Sequence, residues 1–411
     1  MSKDEPEPVQ PEINIGLVGH VDHGKTTLTE KFTGKWTDTH SEEIKRGITI
    51  RLGYADAVFR KCAKCKIFTV KEKCEKCQGP AAFVRKVSFV DAPGHESLMA
   101  TMLSGAIIMD GALLLISAAE ECPQPQTREH LMALQIVGVK NVVVVQNKVD
   151  LVTEEKAKQN HKQIKEFLSK TPYKDAPIIP VSALYNANID VLIEAIEKTM
   201  PTPERDPNKE PVMFIARSFD INKPGTKIDE LKGGVLGGAL KQGKLKVGDD
   251  IEIRPGYATE EKNQKVWKPL TTKIVALVTG GQMVKEVSPG GSIAVGTNLD
   301  PSIVKSDQFT GNVVGLPGKL PPVTNILKLQ VHLLDRVVGS KEELVVEPIK
   351  LTESLMLNVN SAATVGVVTK LSKDIIECKL LLPVCVQTGA RVTISRRIAN
   401  RFRLIGYGIL K

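Results

Sequence analysis

The stretch from Gly19 to Thr26 reads GHVDHGKT and constrains the fold more than any other part of the sequence. It fits the phosphate-binding pattern GxxxxGK[ST]. It lies between INIGLVG, an apolar run typical of a strand, and KTTLTEKFTG, a segment typical of a helix. The backbone N–H groups of such a loop and of the following helix N-terminus form a cradle for phosphates. We therefore expect a nucleotide to contact Val21, Asp22, His23, Gly24, Lys25, Thr26 and Thr27.

The phosphate loop predicts a magnesium site that two later segments complete. Lys25 would neutralise the β- and γ-phosphates, and the Thr26 hydroxyl would bind Mg²⁺, a hard cation that prefers oxygen ligands. Asp91, at the end of an apolar strand, would hold Mg²⁺ through a water, and the Gly94 N–H would contact the γ-phosphate. The segment KRGITI offers Thr49 as a second hydroxyl while a γ-phosphate is present. Loss of that phosphate would release both segments.

Two further motifs indicate that the base is guanine. A buried carboxylate at Asp150 would accept hydrogen bonds from guanine N1–H and the 2-amino group, and adenine would leave that carboxylate unpaired. Asn147 would brace the loops, the Lys148 stem would cover the base, and the Ala183 N–H would face guanine O6. The sequence therefore predicts GTP binding. The predicted base contacts are Asn147, Lys148, Asp150, Ser182, Ala183 and Leu184.

The predicted catalytic set is His95, Lys25, Thr49 and Gly94. His95 directly follows DAPG, where a residue that orients the attacking water belongs; a surface histidine at a helix start is the alternative. No arginine is obviously placed to reach the phosphates. Because phosphoryl transfer gains a factor of about 10³–10⁵ from such a charge, we expect slow intrinsic GTP hydrolysis and an activator supplied in trans.

The segment KCAKCKIFTVKEKCEKC carries two C-x2-C pairs between the phosphate loop and the DAPG strand. Cys62, Cys65, Cys74 and Cys77 suit tetrahedral ligation of Zn²⁺ in a closed structural site, with iron or a redox pair as alternatives. Lysines alternate with these cysteines and would lower the thiolate pKa values or contact RNA or a partner. We expect this zinc knuckle to hold the connection between the two switch segments without taking part in the chemistry.

The pattern of apolar runs predicts three domains. Strand and helix signals alternate in the first half, as in an α/β P-loop GTPase domain with a parallel-rich sheet flanked by helices. Short β-rich runs with Gly and Pro then indicate two β-barrel domains. The predicted segments are a disordered tail (1–11), the GTP-binding domain (12–202) with its knuckle (60–79), a linker (203–211) and the barrels (212–322 and 323–411).

Composition narrows the possible partners and the compartment. The net charge is +9 with a pI near 9.0, which suits a polyanion such as RNA or reflects an unspecific basic surface. Aromatic residues make up 4% of the chain, which disfavours a single-strand stacking platform. The longest apolar run, 107–117, is too short to span a bilayer. There is no signal peptide, and the cysteine pattern fits a reducing, cytoplasmic setting without membrane attachment.

Together GHVDHGKT, KRGITI, DAPGH, NKVD and SAL resemble the translational GTPases, the group that includes elongation factor Tu. DAPGHESLMATMLSGA, ECPQPQTREHLMALQIVGVKNVVVVQNKVDLV, RSFDINKPGT and the four-cysteine insert are similar to the γ subunits of translation initiation factor 2. That resemblance implies a GTP-dependent carrier of methionyl initiator tRNA to the small ribosomal subunit, released after hydrolysis. It also implies a heterotrimer, with the β subunit on the GTPase domain and the α subunit on the first barrel.

The resemblance suggests where tRNA would lie. Arg217, at the edge of the first barrel, is a candidate contact to the acceptor end, or else an arginine on a strand surface. In the second barrel Arg396, Arg397, Arg401 and Arg403 are a candidate contact to the tRNA backbone, or else a solvated strand face. Two alternative functions stay open: a selenocysteine-type elongation factor, and a metabolic GTPase similar to the GTP-driven subunit of ATP sulfurylase.

Overall fold

The computed structural model describes residues 7–37, 49–95, 98–261, 264–338, 344–399 and 401–411. Three predicted features fall partly outside this range: residues 1–6 of the tail, 45–48 of KRGITI, and Glu96 and Ser97 after DAPGH. The chain divides into two compact units. The first is Met1–Met102 with Met109–Pro203, and the second is Leu103–Ile108 with Glu204–Lys411.

The first unit is built on a seven-stranded sheet of order β3-β2-β4-β1-β5-β6-β7. Its central strands β1, β5 and β6 are continuous apolar runs, as expected of parallel strands covered on both faces. β2 and β3 form an antiparallel edge. The predicted parallel-rich sheet is therefore confirmed. The strands are β1 (Ile13–Gly19), β2 (Gly53–Cys62), β3 (Phe68–Thr69), β4 (Ala81–Asp91), β5 (Gly111–Ser117), β6 (Asn141–Asn147) and β7 (Ile178–Pro180).

Helices of the first unit pack against this sheet. In the last of them Ile189, Leu192, Ile193 and Ile196 recur at helical spacing and are buried. Beneath the first helix, the rings of Phe32 and Phe89 stack with centroids 4.8 Å apart. The helices are α1 (Lys25–Thr33), α2 (Met99–Ala106), α3 (Pro125–Val137), α4 (Glu154–Ser169) and α5 (Ile189–Thr199).

The second unit contains two closed six-stranded barrels, as predicted. The first barrel runs in the order β11-β16-β8-β9-β15-β12 and closes through the β11–β12 pairing, and the second runs β17-β20-β19-β18-β21-β22. The first uses β8 (Val212–Phe219), β9 (Val235–Gln242), β11 (Asp250–Glu261), β12 (Gln264–Thr279), β15 (Ile293–Thr297) and β16 (Val313–Gly315). Between these lie the short β10 (Leu245–Lys246), β13 (Gln282–Val284) and β14 (Glu286–Val287), and helix α6 (Pro301–Val304).

The second barrel uses β17 (Val323–Leu333), β18 (Ser354–Val359), β19 (Ala362–Ser372), β20 (Ile375–Cys385), β21 (Arg391–Ile398) and β22 (Arg401–Leu410). The domain boundaries stay predictions, although β8 begins at Val212 and β17 at Val323. The apolar run at 107–117 contains the buried strand β5. Among the described residues, no helix has the length and apolarity needed to cross a bilayer.

Candidate nucleotide site and metal centre

The phosphate loop connects β1 to α1 through left-handed backbone conformations. Asp22 has φ 61° and Gly24 has φ 89°. Glycine adopts the latter without steric cost, and a Cβ at Gly24 would also lie 2.4 Å from the Asn147 Nδ2. Helix α1 then begins at Lys25, so its free N–H groups face the loop. Both the turn and the approach of Asn147 therefore require glycine at this position.

Gly24→Ala is expected to reduce GDP affinity at least about tenfold, because left-handed strain of about 1–2 kcal/mol adds to the contact with Asn147. Fluorescence titration with a labelled GDP measures the effect. Gly248→Ala is the matched control, since Gly248 has φ 97° with nothing near its Cβ position. It should lower stability and leave GDP affinity unchanged. Equal affinities for the wild type and Gly24→Ala would contradict the structural argument.

Asn147 joins three parts of the site through its side-chain amide. Its Nδ2 donates to the His23 carbonyl at 2.9 Å, and its Oδ1 accepts from the Ala183 N–H at 3.1 Å. The Ala183 N–H is already engaged, so guanine O6 would have to share it or displace Asn147 Oδ1. The end of β6 thus fixes both the phosphate loop and the segment at 182–184.

The predicted base contacts differ in exposure. Asp150 lies in a short 3₁₀ turn after β6 and is exposed, so the chain alone does not bury this carboxylate as expected. Ser182 and Ala183 are buried, whereas Leu184 is 62% exposed. Lys148 adopts a left-handed conformation, with φ 62°. A bound base would have to supply the cover over Asp150.

A cavity of about 320 Å³ lies at the phosphate end of the site. Most of the predicted phosphate contacts line it, whereas His23, Asn147, Asp150 and residues 182–184 do not. Trp36 also lines the cavity, and sequence reasoning missed it because nothing in its local pattern marks it. The lining residues are Val21, Asp22, Gly24, Lys25, Thr26, Thr27, Trp36, Thr49, Gly94, His95 and Lys148.

Lys25 and Gly94 lie close together inside this cavity. Lys25 Nζ donates to the carbonyl oxygens of Gly19 at 3.0 Å and His20 at 2.8 Å. A Cβ at Gly94 would lie 2.5 Å from Lys25 Nζ and 2.9 Å from the Gly19 oxygen. Glycine at position 94 therefore lets the DAPG segment approach the phosphate loop. His95 follows it, half-buried, at the same cavity.

Hydroxyl and carboxylate oxygens converge where Mg²⁺ was predicted. Thr26 Oγ1 donates to Asp91 Oδ2 at 2.9 Å and lies 3.2 Å from Thr49 Oγ1. Thr37 Oγ1, which sequence reasoning missed, donates to the same Asp91 oxygen at 2.7 Å. A set of neutral hydroxyls and one buried carboxylate matches the oxygen ligands that Mg²⁺ prefers. The residues present therefore fit the predicted ion.

Two buried histidines support the phosphate loop, and no sequence motif marked His130. Its Nδ1 accepts from the Gly19 N–H at 2.8 Å, and burial lowers the pKa of His130 to about 3. Its ring is therefore neutral and keeps an acceptor for the loop. His23 lies 3.0 Å from the Leu115 oxygen through Nδ1 and 3.3 Å from Glu120 through Nε2. Burial lowers the pKa of His23 as well.

The four predicted zinc ligands come together at the ends of β2 and β4. All four sulfur atoms lie within 4.8 Å of one another, and those of Cys62 and Cys77 are 3.6 Å apart. Zn–S bonds of about 2.3 Å place tetrahedral sulfurs about 3.8 Å apart, so this geometry fits zinc. The Cys65 N–H donates to Cys62 Sγ at 3.3 Å and lowers the pKa of Cys62 to about 7. This bond favours the thiolate that a metal needs.

Cys62→Ser is expected to lower the zinc content from about one ion per chain to near zero, because a closed site with three thiolates loses much of its affinity. Elemental analysis of the purified protein measures it, and thermal unfolding should show a lower midpoint. Cys122→Ser is the matched control, because Cys122 lies outside the cluster. Full zinc content in Cys62→Ser would contradict the assignment.

The candidate RNA arginines are not equivalent. Arg217 Nε donates to Asp307 at 2.9 Å, and Arg396 Nη2 donates to Glu353 at 3.1 Å while its Nη1 reaches the Glu347 oxygen. Arg396 therefore ties β21 to the segment at 347–353, and its contact with RNA stays a prediction.

The remaining three do not form one row either. On the paired strands β21 and β22, Arg403 lies opposite Arg396, and Arg401 lies opposite Ile398. Arg397 lies opposite Phe402. Side chains alternate along a strand, so Arg397 points to the opposite face of the sheet from Arg401 and Arg403.

Comparison with known proteins places this site in a family context. The family model for the elongation factor Tu GTP binding domain matches residues 10–202, and the model for the C terminal part of initiation factor eIF2 gamma matches 325–410. The chain is 61% identical to translation initiation factor 2 subunit gamma of Pyrococcus horikoshii over 402 residues, which is 98% of each chain. It is 59% identical to the protein of that name in Methanocaldococcus jannaschii, again over 98% of each.

Solved structures show the same fold at lower identity. A bacterial selenocysteine-specific elongation factor, EF-Sec, matches 97% of this chain with a TM-score of 0.73 and 24% identity, and this chain spans 58% of that structure. Elongation factor SelB from Methanococcus maripaludis, in complex with the GTP analogue GppNHp, matches 97% of this chain with a TM-score of 0.71 and 23% identity; this chain spans 78% of it. At these identities the likeness concerns the fold alone.

Proposed function

Because the chain belongs to the family of γ subunits of translation initiation factor 2, we propose that it carries methionyl initiator tRNA to the small ribosomal subunit in its GTP-bound form. It is a translational GTPase of initiation that hydrolyses GTP to GDP and phosphate. Hydrolysis releases it from the ribosome. The observation that supports this proposal is identity of 61% over 98% of both chains, with a match to the C-terminal model of that subunit.

The proposed roles at the phosphates follow from the cavity. Lys25 turns from the Gly19 and His20 oxygens to the β- and γ-phosphates, and the Gly94 N–H meets the γ-phosphate. Thr26 and Thr49 supply hydroxyl ligands for Mg²⁺, and Asp91 holds one of its waters. When bound, Mg²⁺ neutralises charge that develops on the phosphate oxygens. At the base, Asp150 pairs with guanine, and Asn147 keeps the loops in place.

His95 is the proposed residue that orients the attacking water. The water oxygen bonds to the γ-phosphorus, the bond from that phosphorus to the GDP oxygen breaks, and the phosphate leaves with the two protons of the water. The described residues that line the cavity include no arginine. We therefore expect the isolated chain to turn over slowly and an activator to act in trans, since such a charge contributes a factor of about 10³–10⁵.

The proposed partners extend beyond the nucleotide. The α and β subunits complete a heterotrimer, with β on the GTPase domain and α on the first barrel. Zinc occupies the four-cysteine site and stabilises the β2–β4 connection. For tRNA, the proposed contacts in the second barrel are Arg396, Arg397, Arg401 and Arg403, and the net charge of +9 supports a polyanionic partner. Arg217 is a further proposed contact, and its Nε donates to Asp307.

The decisive experiment measures binding of labelled methionyl initiator tRNA to the full chain, with a GTP analogue and with GDP, and with and without the α subunit. Elongator methionyl tRNA and selenocysteyl tRNA serve as competitors. Tight binding that needs the GTP form and prefers the initiator is the expected result. Preference for selenocysteyl tRNA would change the substrate and keep the mechanism. No tRNA binding in any combination would overturn the carrier role, and a metabolic GTPase would be the remaining function.

A further inference from the structure

The chain leaves helix α1 in a direction that returns it to the magnesium ligands. Helix α1 ends at Thr33, and Gly34 follows in a left-handed conformation with φ 69°. The Lys35 N–H then bonds the Thr33 hydroxyl at 3.1 Å. Nine helical residues span about 13 Å, and four extended residues span about the same length. Residues 34–37 can therefore run back along the helix to its N-terminal end.

This return places two side chains beside the nucleotide site. Trp36 lines the phosphate cavity and is 50% exposed. Thr37 Oγ1 donates to Asp91 Oδ2 at 2.7 Å, and that oxygen also accepts from the Thr26 hydroxyl at 2.9 Å. Asp91 is fully buried. Solvent therefore does not reach this carboxylate, and the two hydroxyls hold its Oδ2.

The backbone around Thr37 is shaped to hold it there. Gly53 is the first residue of β2 and pairs directly with Asp91, the last residue of β4. A Cβ at Gly53 would lie 2.7 Å from the Thr37 Cβ. The absence of a side chain at Gly53 thus opens the space in which Thr37 reaches Asp91. Three separate segments meet at this point: the end of the α1 return, the start of β2 and the end of β4.

We propose that Thr37 is a positioning residue that fixes the Asp91 carboxylate for Mg²⁺ binding. It does not itself bind the ion. Two hydroxyls hold the carboxylate in one orientation before the ion binds. Binding of Mg²⁺ and its waters therefore costs less conformational entropy at Asp91. The inference rests on the proposed magnesium site and is independent of tRNA delivery.

Thr37→Val removes the hydroxyl and keeps the shape of the side chain. We measure release of a labelled GDP from the full chain as free Mg²⁺ is titrated. The Mg²⁺ concentration for half-maximal retention should rise about tenfold, as expected for loss of one hydrogen bond to a charged group. GDP affinity in EDTA should stay at the wild-type value. Thr37→Ser keeps the hydroxyl and should restore the wild-type Mg²⁺ requirement.

Two further variants separate positioning from folding. Gly53→Ala keeps the Thr37 hydroxyl and displaces it, so it should raise the Mg²⁺ requirement as Thr37→Val does. Thr171→Val is the matched control, because the Thr171 hydroxyl bonds the Leu168 oxygen at 2.8 Å, away from the site. If Thr37→Val unfolds the domain, Thr37→Ala replaces it in the same measurement, because alanine also lacks the hydroxyl and is smaller than threonine.

Trp36 provides a readout that does not depend on turnover. The chain has two tryptophans, and Trp267→Phe leaves Trp36 as the reporter beside the cavity. Its emission should change at the Mg²⁺ concentration that slows GDP release, and this concentration should be higher in Thr37→Val.

A wild-type Mg²⁺ requirement in Thr37→Val, or a raised one in Thr37→Ser, would overturn the inference. GDP release that is independent of Mg²⁺ in the wild type would overturn the magnesium site itself.

Discussion

Asp150→Asn should exchange guanine for xanthine as the preferred base. Guanine presents two donors, N1–H and the 2-amino group, and a carboxylate accepts from both. The amide keeps one acceptor and turns the other into a donor that opposes the 2-amino group. Two bonds to a charged group contribute about 1.5–3 kcal/mol each, so GDP affinity should fall about 10²–10⁴-fold. Xanthine has a carbonyl in place of the 2-amino group, so XDP should bind the variant more tightly than GDP.

Competition of unlabelled GDP and XDP against a labelled nucleotide measures this exchange. Asp175→Asn is the matched control, because Asp175 is an exposed acid between α4 and β7. It should keep the preference for GDP. The result also tests whether the base covers Asp150, because this exposed carboxylate selects guanine only when the base lies over it. A variant that still prefers GDP over XDP would remove Asp150 from the base site.

Four of the five predicted nucleotide motifs share one physical property. Each follows a strand of the central sheet: the phosphate loop follows β1, DAPG follows β4, NKVD follows β6 and SAL follows β7. These strands run parallel, so their carboxyl ends meet at one edge. Local apolar runs identify the strands. The order of these strands in the sheet then places Asn147, at the end of β6, near the phosphate loop. The zinc ligands were predictable for a similar reason, since their spacing within a short hairpin is itself local.

The residues that were missed depend on contacts between distant segments. Thr37 meets Asp91 across 54 positions of sequence, and His130 meets Gly19 across 111. Neither contact has a local periodicity or a motif. The acidic partners of the arginines were missed for the same reason: Arg396 is held by Glu353, 43 positions away, and Arg217 by Asp307, 90 positions away. A cluster of like charges in sequence does not reveal which members are already paired in the fold.

His95→Ala should slow GTP hydrolysis about 10²–10⁴-fold in the presence of the activator, the range that positioned proton transfer or water orientation contributes. GTP affinity should change less than about twofold, because the phosphate loop and Lys25 supply the binding and His95 acts on the water. Single-turnover hydrolysis with excess chain over GTP separates the two quantities. The effect should be smaller without the activator, because the slow intrinsic reaction lacks the positive charge that the activator supplies to the phosphates.

The control for His95 is a histidine elsewhere in the same unit. His161 lies on α4, outside the described lining of the cavity, and His161→Ala should hydrolyse GTP as the wild type does. His95→Gln keeps a side-chain amide that can bond the water and should retain part of the rate. Loss of GTP affinity in His95→Ala would instead indicate a structural histidine at a helix start. A wild-type rate in His95→Ala would assign the attacking water to another group at the cavity or to the activator.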